Sequence, residues 1–157
     1  MRLNNGKKRA FLFFSQFEES FFLVTVIIYC TKAYITANQK GNSFFLYYLF
    51  RVLKTANEIE NFRYRIIDNQ VYLFDSISAS PTVNRPNGTF GFAYMDYCQD
   101  EYDFYAGAFK EIERVHQSDD LMLAVSGESV IHFSAIPWID FYFSFPRPKF
   151  FLSRQFT

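Results

Sequence analysis

Two stretches of apolar residues recur at helical spacing among short runs with the composition of β-strands, and this interleaving constrains the fold more than any other feature of the chain. In the first, Phe44, Phe45, Tyr48, Leu49, Val52, Leu53 and Ala56 form one stripe behind the start signals Asn42 and Ser43. Arg51, Lys54 and Asn57 fall largely outside it. In the second, which begins after Asp100, Tyr105, Phe109, Ile112 and Val115 mark one face, with Lys110, Glu111 and Arg114 mostly on the other. A shorter helix is predicted over Lys32 to Gln39, closed by Gly41.

The intervening runs read as strands. Phe21 to Tyr29 is β-branched and aromatic without alternation, as in a strand covered on both faces. Phe62 to Ile67 and Gln70 to Phe74 predict a hairpin, since Asp68 and Asn69 between them tolerate the left-handed backbone of a tight turn. Ser78 to Gly88, with Pro81 and Pro86, reads as a loop ending in an Asn87–Gly88 turn. Thr89 to Met95 and Val130 to Ile136 are the remaining strands. The mixture predicts an α/β (α+β) domain, a two-layer sandwich of a mixed sheet and helices.

Composition supports a single folded domain. The 157 residues are 50% hydrophobic and 20% charged, globular values. The 22 Phe and 11 Tyr imply an aromatic core, or rings that line an apolar ligand site or an oligomer interface. Sixteen basic and sixteen acidic residues cancel, which argues against nucleic acid or anionic lipid as a partner. The apolar run from Phe21 to Cys30 is about half the roughly twenty residues of a membrane span, so no membrane partner is expected either. Gln16, Glu18 and Glu19 interrupt any secretory pattern, leaving the cytoplasm as the expected compartment. Cys30, Cys98, His116 and His132 have neither disulfide-framework nor metal-site spacing, so no metal is expected.

Six segments carry a family resemblance: FFLVTVIIYCTKAY at 21–34, SFFLYYL at 43–49, ENFRYRI at 60–66, ASPTV at 79–83, GTFGFAY at 88–94 and HFSAIPWIDF at 132–141. In this order and spacing they resemble the chloramphenicol acetyltransferase family. The resemblance implies a coenzyme-A-dependent acyltransferase-like fold, here incomplete at the C-terminus. It also implies a homotrimer with active sites between subunits, moving an acetyl group from acetyl-coenzyme A to a hydroxyl of chloramphenicol or a related small molecule.

Aligned to the family pattern, Phe14, Phe22 and Thr82 match substrate-binding positions, two aromatic and one polar; core packing and a turn residue are the plainer readings of the same three. The family's general base is a histidine in an HHxxxDG motif, because an alcohol attacks well only as a positioned base removes its proton. No HHxxxDG occurs in this sequence. His116 and His132 read as structural, and no catalytic residue is assigned. The family's oxyanion serine would fall at Phe143, with Ser144 one residue late.

From Phe141 to Thr157 the chain is crowded with phenylalanine, carries Pro146 and Pro148, and holds neither the strand nor the helix period. Relatives continue instead in a pattern like FTSLSHARNF followed by YPDS. Suitable codons for Phe141 to Thr157, with one T removed at their start, read FTSLSHARNFSYPDSL. The expectation is therefore a partial family domain over residues 1–140 and an out-of-frame tail over 141–157, produced by a one-base insertion near codon 141.

Overall fold

The computed structural model describes residues 24–119 and 127–136. Among them the element order is α1 (Thr31–Gln39), α2 (Phe44–Glu58), a 3-10 turn (Glu60–Arg63), β1 (Tyr64–Ile67), β2 (Gln70–Leu73), β3 (Ser78–Asn84), β4 (Phe90–Phe92), α3 (Glu101–Gln117) and β5 (Val130–Phe133). The strands form an antiparallel β1–β2 hairpin and a mixed three-stranded sheet in the order β4-β3-β5, antiparallel on one side of β3 and parallel on the other.

The hairpin forms as its turn chemistry dictates. Asp68 and Asn69 adopt φ of 49° and 58°, the left-handed pair that matches the twist of a two-residue connection. Gly41 likewise supplies a φ of 68° just beyond α1, where a side chain would be strained. Asp100 caps α3, its carboxylate accepting the N–H groups of Tyr102 at 2.8 Å and Asp103 at 3.0 Å.

One core lies between the two long helices and the sheet. Leu46, Leu49, Phe50 and Leu53 of α2 meet Phe104, Tyr105, Ala108 and Val115 of α3, over Ala79 and Val83 of β3. Both helical stripes are rotated from their predicted centres. Val52 is half exposed while Leu46 and Phe50 are buried, and Phe109 is 56% exposed where Phe104 and Ala108 take the core-facing positions. The rings of Phe50 and Phe104, 5.3 Å apart, join the helices, and that contact sets which side of each helix turns inward.

Two predicted elements are corrected. Ser78 to Gly88 is not a loop throughout: Ser78–Asn84 is the central strand β3, and only the Pro86 to Gly88 end turns. Alternation explains the misleading composition, because Ala79, Pro81 and Val83 face the core while small serines occupy the other side. Pro81 removes one donor from the ladder, yet its carbonyl still accepts the Ala93 N–H at 2.9 Å. Phe21 to Tyr29 is not a buried strand over its described part: Val24–Tyr29 is irregular and exposed, Tyr29 by 93%. A strand needs a backbone partner, and none of the described strands pairs with this segment. Phe21 and Phe22 lie outside the described residues.

Polar side chains tie the elements together. Asn57, predicted to sit off the apolar stripe, clamps the backbone of fully buried Ile77: its Nδ2 donates to the Ile77 carbonyl and its Oδ1 accepts the Ile77 N–H, both at 2.9 Å. Asn57→Ala leaves both groups without their partner and is expected to cost about 1–3 kcal/mol, read as a lower urea midpoint at unchanged slope. Arg65 anchors the hairpin to β5, donating to the carbonyls of Glu128 at 2.7 Å and Val130 at 2.8 Å. Buried Arg85 donates to the Val115 carbonyl at the end of α3 and to the Phe90 carbonyl, each at 2.8 Å. It runs so close over Gly91 that a Cβ there would stand 2.7 Å from an Arg85 nitrogen and 2.8 Å from Val115, which is why the GTFGF string has glycine at that place.

Candidate functional site

The face of the sheet turned away from the helices is rich in hydroxyls. Strand alternation puts Ser78, Ser80, Thr82 and Asn84 on this side of β3. In register, Ser80 stands opposite His132 on β5, Thr82 opposite Phe92 on β4, and Asn84 opposite Phe90. Ser134, two residues beyond His132, shares its face, and the Thr82 hydroxyl lies 3.4 Å from the Ser134 hydroxyl. Phe90 and Phe92 add two rings packed edge to face at 5.8 Å. Beside the buried Ser78 and Ser80, the Thr82 and Ser134 hydroxyls, an imidazole and an aromatic pair thus share one side of the sheet, suited to holding a polar aromatic small molecule by hydrogen bonds and ring contact.

Thr82 is half-buried on β3. Phe14 and Phe22, the other two residues matched to substrate contacts, lie outside the described residues, as do Phe143 and Ser144. Ser134 was not singled out from the sequence. Its signal was available in the HFSAIPW string: the i, i+2 spacing from His132 puts both on one face of a strand.

Among the described residues, neither histidine has the partners of a general base. His116 is exposed near the end of α3, and its Nε2 lies 3.1 Å from the Asn84 carbonyl, so it ties that helix to the end of β3. His132 is exposed and has no hydrogen-bond partner among the described residues, so nothing there fixes its tautomer or aims its ring, as the orienting group of a catalytic histidine does.

Among the described residues, Cys98, Tyr105 and Glu111 have clearly shifted ionisation. Burial, then the Asp103, Asp100 and Asp96 carboxylates, push the Cys98 thiol up, away from the reactive thiolate. Burial, reinforced by its hydrogen bond to Glu101 at 2.7 Å, raises Tyr105. Glu111, expected on the outer side of α3, is partly buried and accepts the Tyr94 N–H at 3.1 Å. Burial alone would raise its carboxyl, but the Arg114 hydrogen bond and the Tyr94 N–H outweigh it and hold Glu111 below the ordinary glutamate range. A depressed folded value stabilises the fold above the unfolded one and loses that share as the pH falls below about 4.3 toward the folded value. Glu111→Gln is therefore expected to narrow its stability gap to the parent chain as urea midpoints are measured from pH 7 down through that range.

Among the described residues no group of three or more His, Cys, Asp or Glu side chains could hold a metal ion, and no helix is long and apolar enough to cross a membrane.

An α+β chain with a mixed sheet, two helices packed on one face and a hydroxyl-bearing opposite face has counterparts among known proteins. The sequence profile described as "Chloramphenicol acetyltransferase" matches residues 2–146. A solved structure of a chloramphenicol acetyltransferase is 35% identical and superposes with a TM-score of 0.77, covering 89% of this chain and 68% of that one. A comparison with curated protein sequences finds no match. The fold and the match together define the class: the chain belongs to the chloramphenicol acetyltransferase family.

Proposed function

We propose that this cytoplasmic chain has part of the framework for acetyl transfer from acetyl-coenzyme A to a hydroxyl of chloramphenicol or a related small molecule, but does not itself turn over. The observation that carries this reading is the state of its two histidines. His116 is engaged with a backbone carbonyl, His132 has no orienting partner among the described residues, and the sequence holds no HHxxxDG. Without a base the acceptor hydroxyl keeps its proton and remains a poor nucleophile, whatever Thr82 and its neighbours hold in place. A thiol-release assay with acetyl-coenzyme A and chloramphenicol is expected to show no turnover above background for the purified 157-residue chain. Robust turnover would refute the proposal.

The missing base has a single proposed origin, a one-base insertion near codon 141 that joins the family domain of residues 1–140 to an out-of-frame tail over 141–157. Two considerations support this boundary. The family match ends at residue 146, inside the tail, and codons compatible with residues 141–157 can be chosen that recover the family's serine in the shifted frame.

A second reading, an interaction subunit that joins intact relatives, is favoured by the exposed apolar segment Val24–Tyr29. Co-purification with a full-length relative discriminates it: a stable mixed oligomer supports this reading, and exclusive recovery as separate species removes it.

A further inference from the structure

A depression of about 530 Å³ lies between α2, the 3-10 turn, β1 and β5. Val52, Ala56, Phe62 and Ile131 give it an apolar lining, and Arg51 and Arg65 line it as well. Its volume is in the range of small-molecule sites.

Charge decides what such a site takes. Arg51 and Lys40 share one carboxylate, Glu101, at 3.2 and 3.8 Å, so one positive charge is left over. Arg65 donates to the carbonyls of Phe62, Tyr64, Glu128 and Val130, which take four of its five hydrogens without cancelling its charge. No carboxylate pairs with Arg65 among the described residues, and none lines the depression. The Arg51 guanidinium lies over the Tyr47 and Phe50 rings, 5.2 and 5.6 Å from their centroids, while its Nε and Nη1 groups have no hydrogen-bond partner among the described residues.

We infer that this depression binds a small organic carboxylate, with an apolar or aromatic body against Val52, Ala56, Phe62 and Ile131 and its charged end on Arg51 near Arg65. Thr55 also lines the depression; its hydroxyl donates to the Arg51 carbonyl at 2.9 Å and keeps its oxygen free to accept. The site is separate from the Thr82 face and does not depend on the acetyl-transfer reading.

The test is a ligand-observed NMR titration of the full chain with 4-phenylbutyrate and its neutral amide. The carboxylate is expected to bind about tenfold tighter than the amide, and Arg51→Gln to abolish the difference. Val52→Trp, which fills the depression, is expected to abolish binding of both. Thr55→Glu, at an exposed helical position, is expected to repel the carboxylate and spare the amide, and it decides the matter if the Trp variant fails to fold. Equal binding of the two probes, absence of carboxylate binding, or carboxylate binding that survives Thr55→Glu would each overturn the inference. So would binding that survives in a folded Val52→Trp variant, which would place the probe on another apolar surface such as Val24–Tyr29.

Discussion

Deleting one thymine at the start of codon 141 is expected to raise chloramphenicol acetyl transfer by about 10²–10⁴-fold over the 157-residue chain, the usual contribution of a positioned general base. An alcohol attacking a thioester must lose its proton as the carbon–oxygen bond forms, and the tetrahedral oxyanion that results needs a donor. On the proposed insertion, the shifted frame restores the serine of FTSLSHARNF and continues toward the HHxxxDG segment, so base and oxyanion donor return together. Thiol release by the two products, measured at equal concentration, checks it. A corrected frame that leaves turnover at background, in a soluble product, would separate the lost activity from the tail.

The second large effect concerns the helix–helix contact on which the rest of the fold is built. Phe104 is 1% exposed, its ring 5.3 Å from Phe50 and 6.1 Å from Tyr105, with Leu46, Leu49 and Leu53 in the same cluster. Phe104→Ala removes the aromatic side chain and leaves a cavity that two helices packed on a sheet can only partly close, at an expected cost of about 3–5 kcal/mol. For a domain of ordinary marginal stability that is a large share of the total, so loss of the cooperative thermal transition is expected. A variant that melts within a degree or two of the parent would show that this cluster is not the organising core.

The sequence was most legible where local chemistry alone decides the structure. Asp68 and Asn69 imposed the hairpin because the turn needs two left-handed residues, and Asp100 marked the start of α3 because a carboxylate there can accept the first free N–H groups. It was least legible where tertiary contacts override composition. Ser78, Ser80 and Pro81 look like loop residues, yet they occupy the middle of the sheet, since small side chains pack there and the Pro81 carbonyl keeps its ladder bond. The rotation of both helices could not be read from periodicity, which names a stripe without saying which shoulder meets the partner; the Phe50–Phe104 contact decides it. Asn57 misled in the same way, because its two bonds to Ile77 join residues twenty positions apart.

The candidate site was partly visible. Thr82 was matched to a substrate contact through the family pattern; its surroundings followed only when β3, β4 and β5 were brought into register, with Phe92 opposite and Ser134 beside it. The absence of HHxxxDG was plain from the sequence. What the fold adds is the placement of His116 and His132, one committed to a carbonyl and the other without an orienting partner among the described residues.

The central claim is that a family acetyltransferase domain passes, near codon 141, into residues read in the wrong frame. The nucleotide sequence across and beyond that codon tests it directly. One extra base is expected, after whose removal the frame reads FTSLSHARNF and runs on to HHxxxDG. A gene whose other frames contain no HHxxxDG downstream of codon 141 would contradict it.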